Sequence, residues 1–130
     1  MIVGIGIDIV DIERVSRLLE RYKDRFVKRV FTDEEERYAY KSVKPAERLA
    51  GRFAVKEAFM KAIGTGKSNG ILWRDVETVR GPLGKPKVML YGKADKYLNM
   101  MNANNVHVSI THDGGRAVAF VIIERAGEAV

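Results

Sequence analysis

Asp8 and the pair Glu57 and Lys61 are the residues whose types and positions best suit this sequence for chemistry. Asp8 lies in the apolar run Met1 to Val10, where Ile5, Ile7 and Ile9 share one face of a two-residue period and Gly4, Gly6 and Asp8 share the other. Glycine within a strand marks close approach by a second backbone or a ligand, so a carboxylate on that face sits where something comes near. Taken alone, Asp8 reads equally as a helix cap or as a binding residue. Glu57 and Lys61 are four apart, and the plain alternative for them is a surface ion pair worth about 0.3–0.5 kcal/mol. In helical projection, however, they continue a stripe of Ala46, Ala50 and Ala54, beside the bulkier Leu49, Phe53 and Met60, and such a stripe is expected to meet a sheet. If that helix crosses the glycine face of the first strand, Asp8 and Glu57 converge, and two anions require a cation between them.

Magnesium answers that requirement, because it takes hard oxygen ligands and combines one or two carboxylates with waters and phosphate oxygens. Lys61 could neutralise the same phosphate group, and His112 could donate a hydrogen bond to it. Asp8, Glu57, Lys61 and His112 together make a candidate phosphoryl-transfer site. Other routes fare worse. There is no Walker sequence, and Gly4 to Gly6 lacks the third glycine and following helix of a dinucleotide fingerprint. His107 and His112 have no third nitrogen or sulfur ligand for zinc. Cysteine is absent, which excludes disulfides, thiolate metal sites and cysteine nucleophiles.

The elements that must position these residues follow from pattern and punctuation. Met1 to Val10 is a strand. Asp11 to about Tyr22 suits a helix with Asp11 as cap and Ile12, Val15, Leu18 and Leu19 at helical spacing, while Arg14, Arg17 and Arg21 lie on another face. A short helix over Asp24 to Arg29 comes next, and Thr32 with Glu35 has capping-box spacing for a helix to about Tyr40. Pro45 opens the longest helix, running to Ile63 before the Gly64, Thr65, Gly66 stop. Ile71 to Arg80 and Lys85 to Tyr91 read as a hairpin about Gly81, Pro82 and Gly84; Lys93 to Met101 reads as a helix; Val106 to His112 and Arg116 to Glu124 read as a second hairpin. Ala117 to Ile123 is apolar on both faces, the pattern of a central strand covered on both sides. The tail after Arg125 is expected to fray. Helices gathered before mainly antiparallel strands indicate an α+β domain with one long helix packed across a sheet.

The 130 residues suit a single domain, 1–130, of ordinary soluble composition, with 46% hydrophobic and 31% charged residues. No apolar run approaches the roughly 20 residues of a membrane span, and no cleavage-type pattern follows the apolar start, which points to a cytoplasmic protein. The net charge of +6 favours an anionic partner: nucleic acid, a phosphorylated cofactor, an acidic protein or an anionic surface. A nucleic-acid binder would satisfy that charge but leaves the acids in apolar surroundings unexplained, so no nucleic-acid role is expected.

Over nearly its whole length the chain resembles the holo-acyl-carrier-protein synthase family, the small branch of the phosphopantetheinyl transferases. The resemblance is carried, in the expected order, by Gly4-Ile5-Gly6-Ile7-Asp8-Ile9-Val10, Gly51-Arg52-Phe53-Ala54-Val55-Lys56-Glu57-Ala58, Lys61-Ala62-Ile63-Gly64-Thr65-Gly66 and Ser109-Ile110-Thr111-His112. It implies that Asp8 and Glu57 hold Mg²⁺, and that Lys61, Gly64, Thr65 and the segment Thr111 to His112 help bind coenzyme A. It further implies Gly84 and Pro86 near the adenine or its phosphate, with Lys44 and Arg52 as electrostatic contributors. The family often has serine where Thr111 stands. The implied reaction is attack by a carrier-protein serine on the pyrophosphate of coenzyme A, serving fatty acid biosynthesis. Glu57 would take the proton directly or through water, with Asp33 or a bound water as substitutes, and Lys61 and His112 would assist at the phosphates. Carrier proteins of this kind are acidic, which suits docking on Arg14, Arg17 and Arg21 with Leu18 adding packing. The resemblance also implies a homotrimer with sites between subunits, where Asp8 and the His112 segment could meet.

Overall fold

Alternating isoleucine and glycine build the first element of the computed structural model, which describes residues 1–64 and 70–127. Strand β1 spans Ile2–Asp11, and Asp11 then caps helix α1, Ile12–Tyr22, by accepting the Glu13 amide at 3.1 Å. Helix α2 covers Asp24–Val30 and α3 covers Asp33–Tyr40. The capping box at the start of α3 is formed, with Thr32 and Glu35 each satisfying the other's backbone amide. Helix α4, Pro45–Ile63, has proline in its first turn and stops at Gly64, whose φ of 78° favours a residue without a Cβ.

Beyond α4 the expected strand Ile71 to Arg80 is shorter. The Asp75 carboxylate accepts the Leu72 amide at 2.9 Å and winds Trp73–Asp75 into a 3-10 turn, so strand β2 begins at Val76 and runs to Arg80. Strand β3, Pro86–Leu90, completes the first hairpin. Helix α5, Gly92–Met100, leads to strands β4, Asn105–Asp113, and β5, Arg116–Glu124. Arg125 exchanges backbone hydrogen bonds with Met1 and the Ala126 amide donates to Asn104 Oδ1, while residues 128–130 of the tail expected to fray lie outside the described residues. Among the described residues no helix is long and apolar enough to cross a membrane.

The strands form a three-stranded antiparallel sheet in the order β1-β5-β4 and a separate two-stranded sheet of β2 and β3. This is the expected α+β arrangement with the long helix across the sheet. Leu49, Ala58 and Phe59 of α4 and Ala117, Ala119, Val121 and Ile123 of β5 are all completely buried in one hydrophobic core. Burying each of the larger side chains contributes about 1.5–3 kcal/mol. Strand β5 is central, as its composition indicates, but only one of its faces is covered in the single chain. On the other face Phe120 stays 38% exposed, in register with Ile7. The long helix can lie on one side of a sheet, and the remaining helices pack around it instead of behind the strands.

Candidate active site

The site is assembled by glycine. A Cβ on Gly6 would fall 1.8 Å from the Ala58 carbonyl oxygen, and one on Gly4 would fall 2.2 Å from that of Ala62. Both distances are far inside van der Waals contact, so only glycines let α4 lie directly on β1. Asp8, next on the same face, is thereby carried against the last turns of α4, where Glu57 and Lys61 project one helical turn apart. Lys61 Nζ lies 2.8 Å from Asp8 Oδ1 and 3.1 Å from the Ile7 carbonyl oxygen, and Glu57 comes within hydrogen-bonding reach of Asp8. The expected convergence of Asp8, Glu57 and Lys61 is therefore present within one chain.

Glu57 is half-buried, and its carboxyl is pushed above the usual glutamate range, first by burial and then by the neighbouring Asp8 charge, with Arg14 and Lys61 opposing. The Lys61 ammonium is raised, chiefly by its hydrogen bond to Asp8. Two adjacent carboxylates with a main-chain carbonyl beside them form a hard-oxygen donor set. Among the described residues no group of three or more His, Cys, Asp or Glu gathers to make a fuller cage. A pair of acids fits Mg²⁺, which keeps waters and phosphate oxygens in its remaining positions.

The remaining expected residues are more widely spread. His112 shares the inner face of the sheet with Asp8 but meets the opposite end of α4, where its Nε2 donates to the Glu47 carbonyl at 3.1 Å. Glu47 and Glu57 are ten residues apart, or about 15 Å along a helix, so one chain does not bring His112 to the acids. Gly51 makes room for the imidazole, since a Cβ there would lie 3.1 Å from Nε2. A glycine in the middle of a helix was the readable signal for that approach. Thr111 points to the outer face of the sheet, in register with Val118. Arg52 is buried and stacks 3.9 Å from the Tyr38 ring, with Arg48 at 4.2 Å from the same ring. Burial lowers the Arg52 guanidinium, and among the described residues its Nε has no hydrogen-bond partner.

Lys44, exposed before Pro45, borders a hollow of about 720 Å³ that also includes Asp11, Gly114 and Arg116. Gly84, with a φ of 77°, lies beside the Arg80 guanidinium, and Pro86 faces Val108 and Ile110 across a cleft of about 450 Å³ between β3 and β4. Thr65 falls outside the described residues. Asp33 is engaged elsewhere, 3.5 Å from Arg74 and 4.0 Å from Lys28.

Arg14 and Leu18 of α1 line a groove of about 440 Å³ together with Arg25, Phe26, Arg29, Phe53 and Trp73. Arg17 and Arg21 are exposed on the same helix, with Arg21 5.4 Å over the Tyr22 ring. Arg25, Arg29, Phe26 and Trp73 were missed from sequence, since three segments distant in the chain must fold together before they share a groove.

With this geometry in place, likeness to known proteins becomes informative. Residues 4–121 match the sequence model of the 4'-phosphopantetheinyl transferase superfamily. A holo-acyl-carrier-protein synthase from Geobacter metallireducens is 49% identical over 125 residues, covering 96% of this chain and 99% of that protein. The crystal structure of the holo-acyl-carrier-protein synthase from Neisseria meningitidis superposes with a TM-score of 0.87 at 36% identity, covering 95% of this chain and 99% of that one. The Helicobacter pylori synthase, solved in complex with coenzyme A, matches with a TM-score of 0.81 at 30% identity, over 92% of this chain and 99% of that one. Full-length identity of this order, in a chain whose strand and helix converge Asp8, Glu57 and Lys61, means that the chain belongs to the holo-acyl-carrier-protein synthase family of the 4'-phosphopantetheinyl transferase superfamily.

Proposed function

We propose that this chain, working as one domain over residues 1–130, transfers 4'-phosphopantetheine from coenzyme A to a serine of an apo-acyl carrier protein. The observation that carries the reading is the meeting of Asp8, Glu57 and Lys61 where α4 crosses the glycine face of β1. The carrier serine oxygen forms a bond to the phosphorus that bears the pantetheine, the pyrophosphate P–O bond breaks, and adenosine 3',5'-bisphosphate leaves. Asp8 and Glu57 would hold Mg²⁺, which when bound supplies positive charge to the phosphate oxygens. Lys61, whose side chain is exposed, offers a second cation for charge developing there. Glu57, beside Asp8 and Lys61, is proposed to take up the serine proton directly or through a water.

Coenzyme A is proposed to contact Gly64, Thr65, Gly84 and Pro86, with Lys44, Arg52, Thr111 and His112 as further contacts. A homotrimer supports this distribution, because a neighbouring subunit could bring its His112 segment to the Asp8 and Glu57 of this one. The outer face of β1 favours such assembly: Ile5, Ile7 and Ile9 are 55%, 57% and 58% exposed and adjoin Phe120. The acidic carrier is proposed to dock on α1 and the adjoining groove, through Arg14, Arg17, Arg21 and Leu18. A role in fatty acid biosynthesis and a cytoplasmic location follow from a carrier and coenzyme A as substrates.

Mass spectrometry of apo carrier tests the reading. The phosphopantetheine mass should appear only with enzyme, coenzyme A and a divalent metal together. Transfer that persists in metal-stripped protein, or in a folded Asp8→Ala variant, would remove the proposed metal site.

A further inference from the structure

Lys56 immediately precedes Glu57, and the rotation between successive helical positions turns its side chain away from β1, toward α3 and the 3-10 turn. It is 0% exposed, yet its ammonium donates to Glu35 Oε1 at 2.7 Å, the Trp73 carbonyl at 3.0 Å and the Val76 carbonyl at 2.5 Å. Glu35 is equally buried and also accepts the backbone amides of Thr32 at 3.0 Å and Thr78 at 2.9 Å. One ion pair thus ties the helix bearing Glu57 to the start of α3 and to both ends of the segment Trp73–Val76. Burial pushes the Lys56 ammonium below the usual lysine range, and the Glu35 charge opposes that fall.

Buried ion pairs gain little net stability over apolar replacements of similar volume, so location explains this pair better than stability does. What it locates is Trp73. The indole lies 5.1 Å from the Phe53 ring and stands beside Arg14, Leu18 and Phe26 in the α1–α2 groove. We propose that Lys56, acting with Glu35, is a positioning residue that holds Trp73 as one wall of the surface on which the acidic carrier protein docks. The inference rests on the reading of that groove as the carrier site and assigns Lys56 no contact with coenzyme A.

Trp73 is the single tryptophan of the sequence, so intrinsic fluorescence reports this wall alone. The paired variant Lys56→Met with Glu35→Gln removes both charges together and leaves no uncompensated buried ion. The expected result is a folded protein by circular dichroism, with red-shifted Trp73 emission and easier acrylamide quenching. KM for the carrier should rise by about tenfold while KM for coenzyme A stays within about twofold. Folded protein with wild-type emission and wild-type carrier KM would overturn the proposal. If the pair does not fold, Lys56→Arg decides: shifted emission with a raised carrier KM supports it, and an unchanged carrier KM overturns it. Failure of the docking reading itself looks different. Then Trp73 of the wild-type protein does not respond to apo carrier and Arg14→Glu leaves carrier KM unchanged, and this proposal falls with it.

Discussion

Lys61 Nζ lies 2.8 Å from Asp8 Oδ1, so an amine of α4 already compensates one of the two carboxylates where the helix crosses β1. A divalent ion shared by Asp8 and Glu57 must compete with that amine for Asp8. Lys61→Met is therefore expected to bind Mn²⁺ more tightly by about tenfold, read by electron paramagnetic resonance titration without coenzyme A. The same variant should lose transfer by about 100- to 1,000-fold, because a cation at the phosphates is gone. Asp8→Asn should lose both. Equal Mn²⁺ affinity in Lys61→Met and wild type would show that the amine does not compete.

Gly6 is the tightest point of the helix–strand contact, with a Cβ there placed 1.8 Å from the Ala58 carbonyl oxygen. That oxygen belongs to the backbone and cannot swing aside. Gly6→Ala should destabilise the fold by about 1–3 kcal/mol in urea titration and weaken Mn²⁺ binding by separating Asp8 from Glu57. A variant as stable as wild type would mean that α4 shifts at no cost.

Arg14 and Arg25 border the groove that holds Trp73, whereas Arg17 is exposed outside it. Charge reversal at Arg14 or Arg25 should raise carrier KM by about tenfold, with a smaller effect on kcat. Reversal at Arg17 should do less. Added salt should weaken carrier binding by wild type more than by either groove variant, since exposed charges are screened. Similar KM values for all three variants would argue for general attraction instead of a docking groove.

Ile7 is 57% exposed beside Phe120 on the uncovered face of the sheet. Ile7→Asp places a charge where a neighbouring subunit is proposed to pack. Light scattering after size exclusion should show trimers for wild type and smaller species for the variant, with transfer falling in parallel. A variant that stays trimeric would locate the interface elsewhere.

His107 Nε2 lies 2.9 Å from Glu124 Oε1, and this hydrogen bond is the largest cause holding the Glu124 carboxyl below its ordinary value of 4.5. The unfolded chain then takes up the proton more readily than the folded one. Stability from the pair is accordingly present above the unfolded value and lost as pH falls through the depressed folded value. His107→Ala should melt slightly lower than wild type above pH 4.5, and the two Tm curves should merge in stronger acid. The gap is expected to be small because the pair is exposed. Curves that stay parallel throughout would rule out Glu124 as its source.

Local punctuation made much of the fold legible. Asp11 before Ile12, Thr32 with Glu35, and Pro45 with Gly64 each act within a few residues of the backbone they terminate, and each does so here. The 3-10 turn at Trp73 escaped notice because Ile71 and Leu72 look strand-like until the Asp75 side chain turns back to the Leu72 amide.

What the sequence by itself determined is the inventory and phase of the site: a glycine face leading to Asp8, and a helical stripe leading to Glu57 and Lys61. Strand and helix periods orient side chains without knowledge of the partner element. Only the tertiary structure decided that these faces meet, that His112 lies at the far end of α4, and that Lys56 turns inward to Glu35. Those outcomes depend on how closely two backbones approach and which end of a helix a strand crosses, quantities that arise only when distant segments pack.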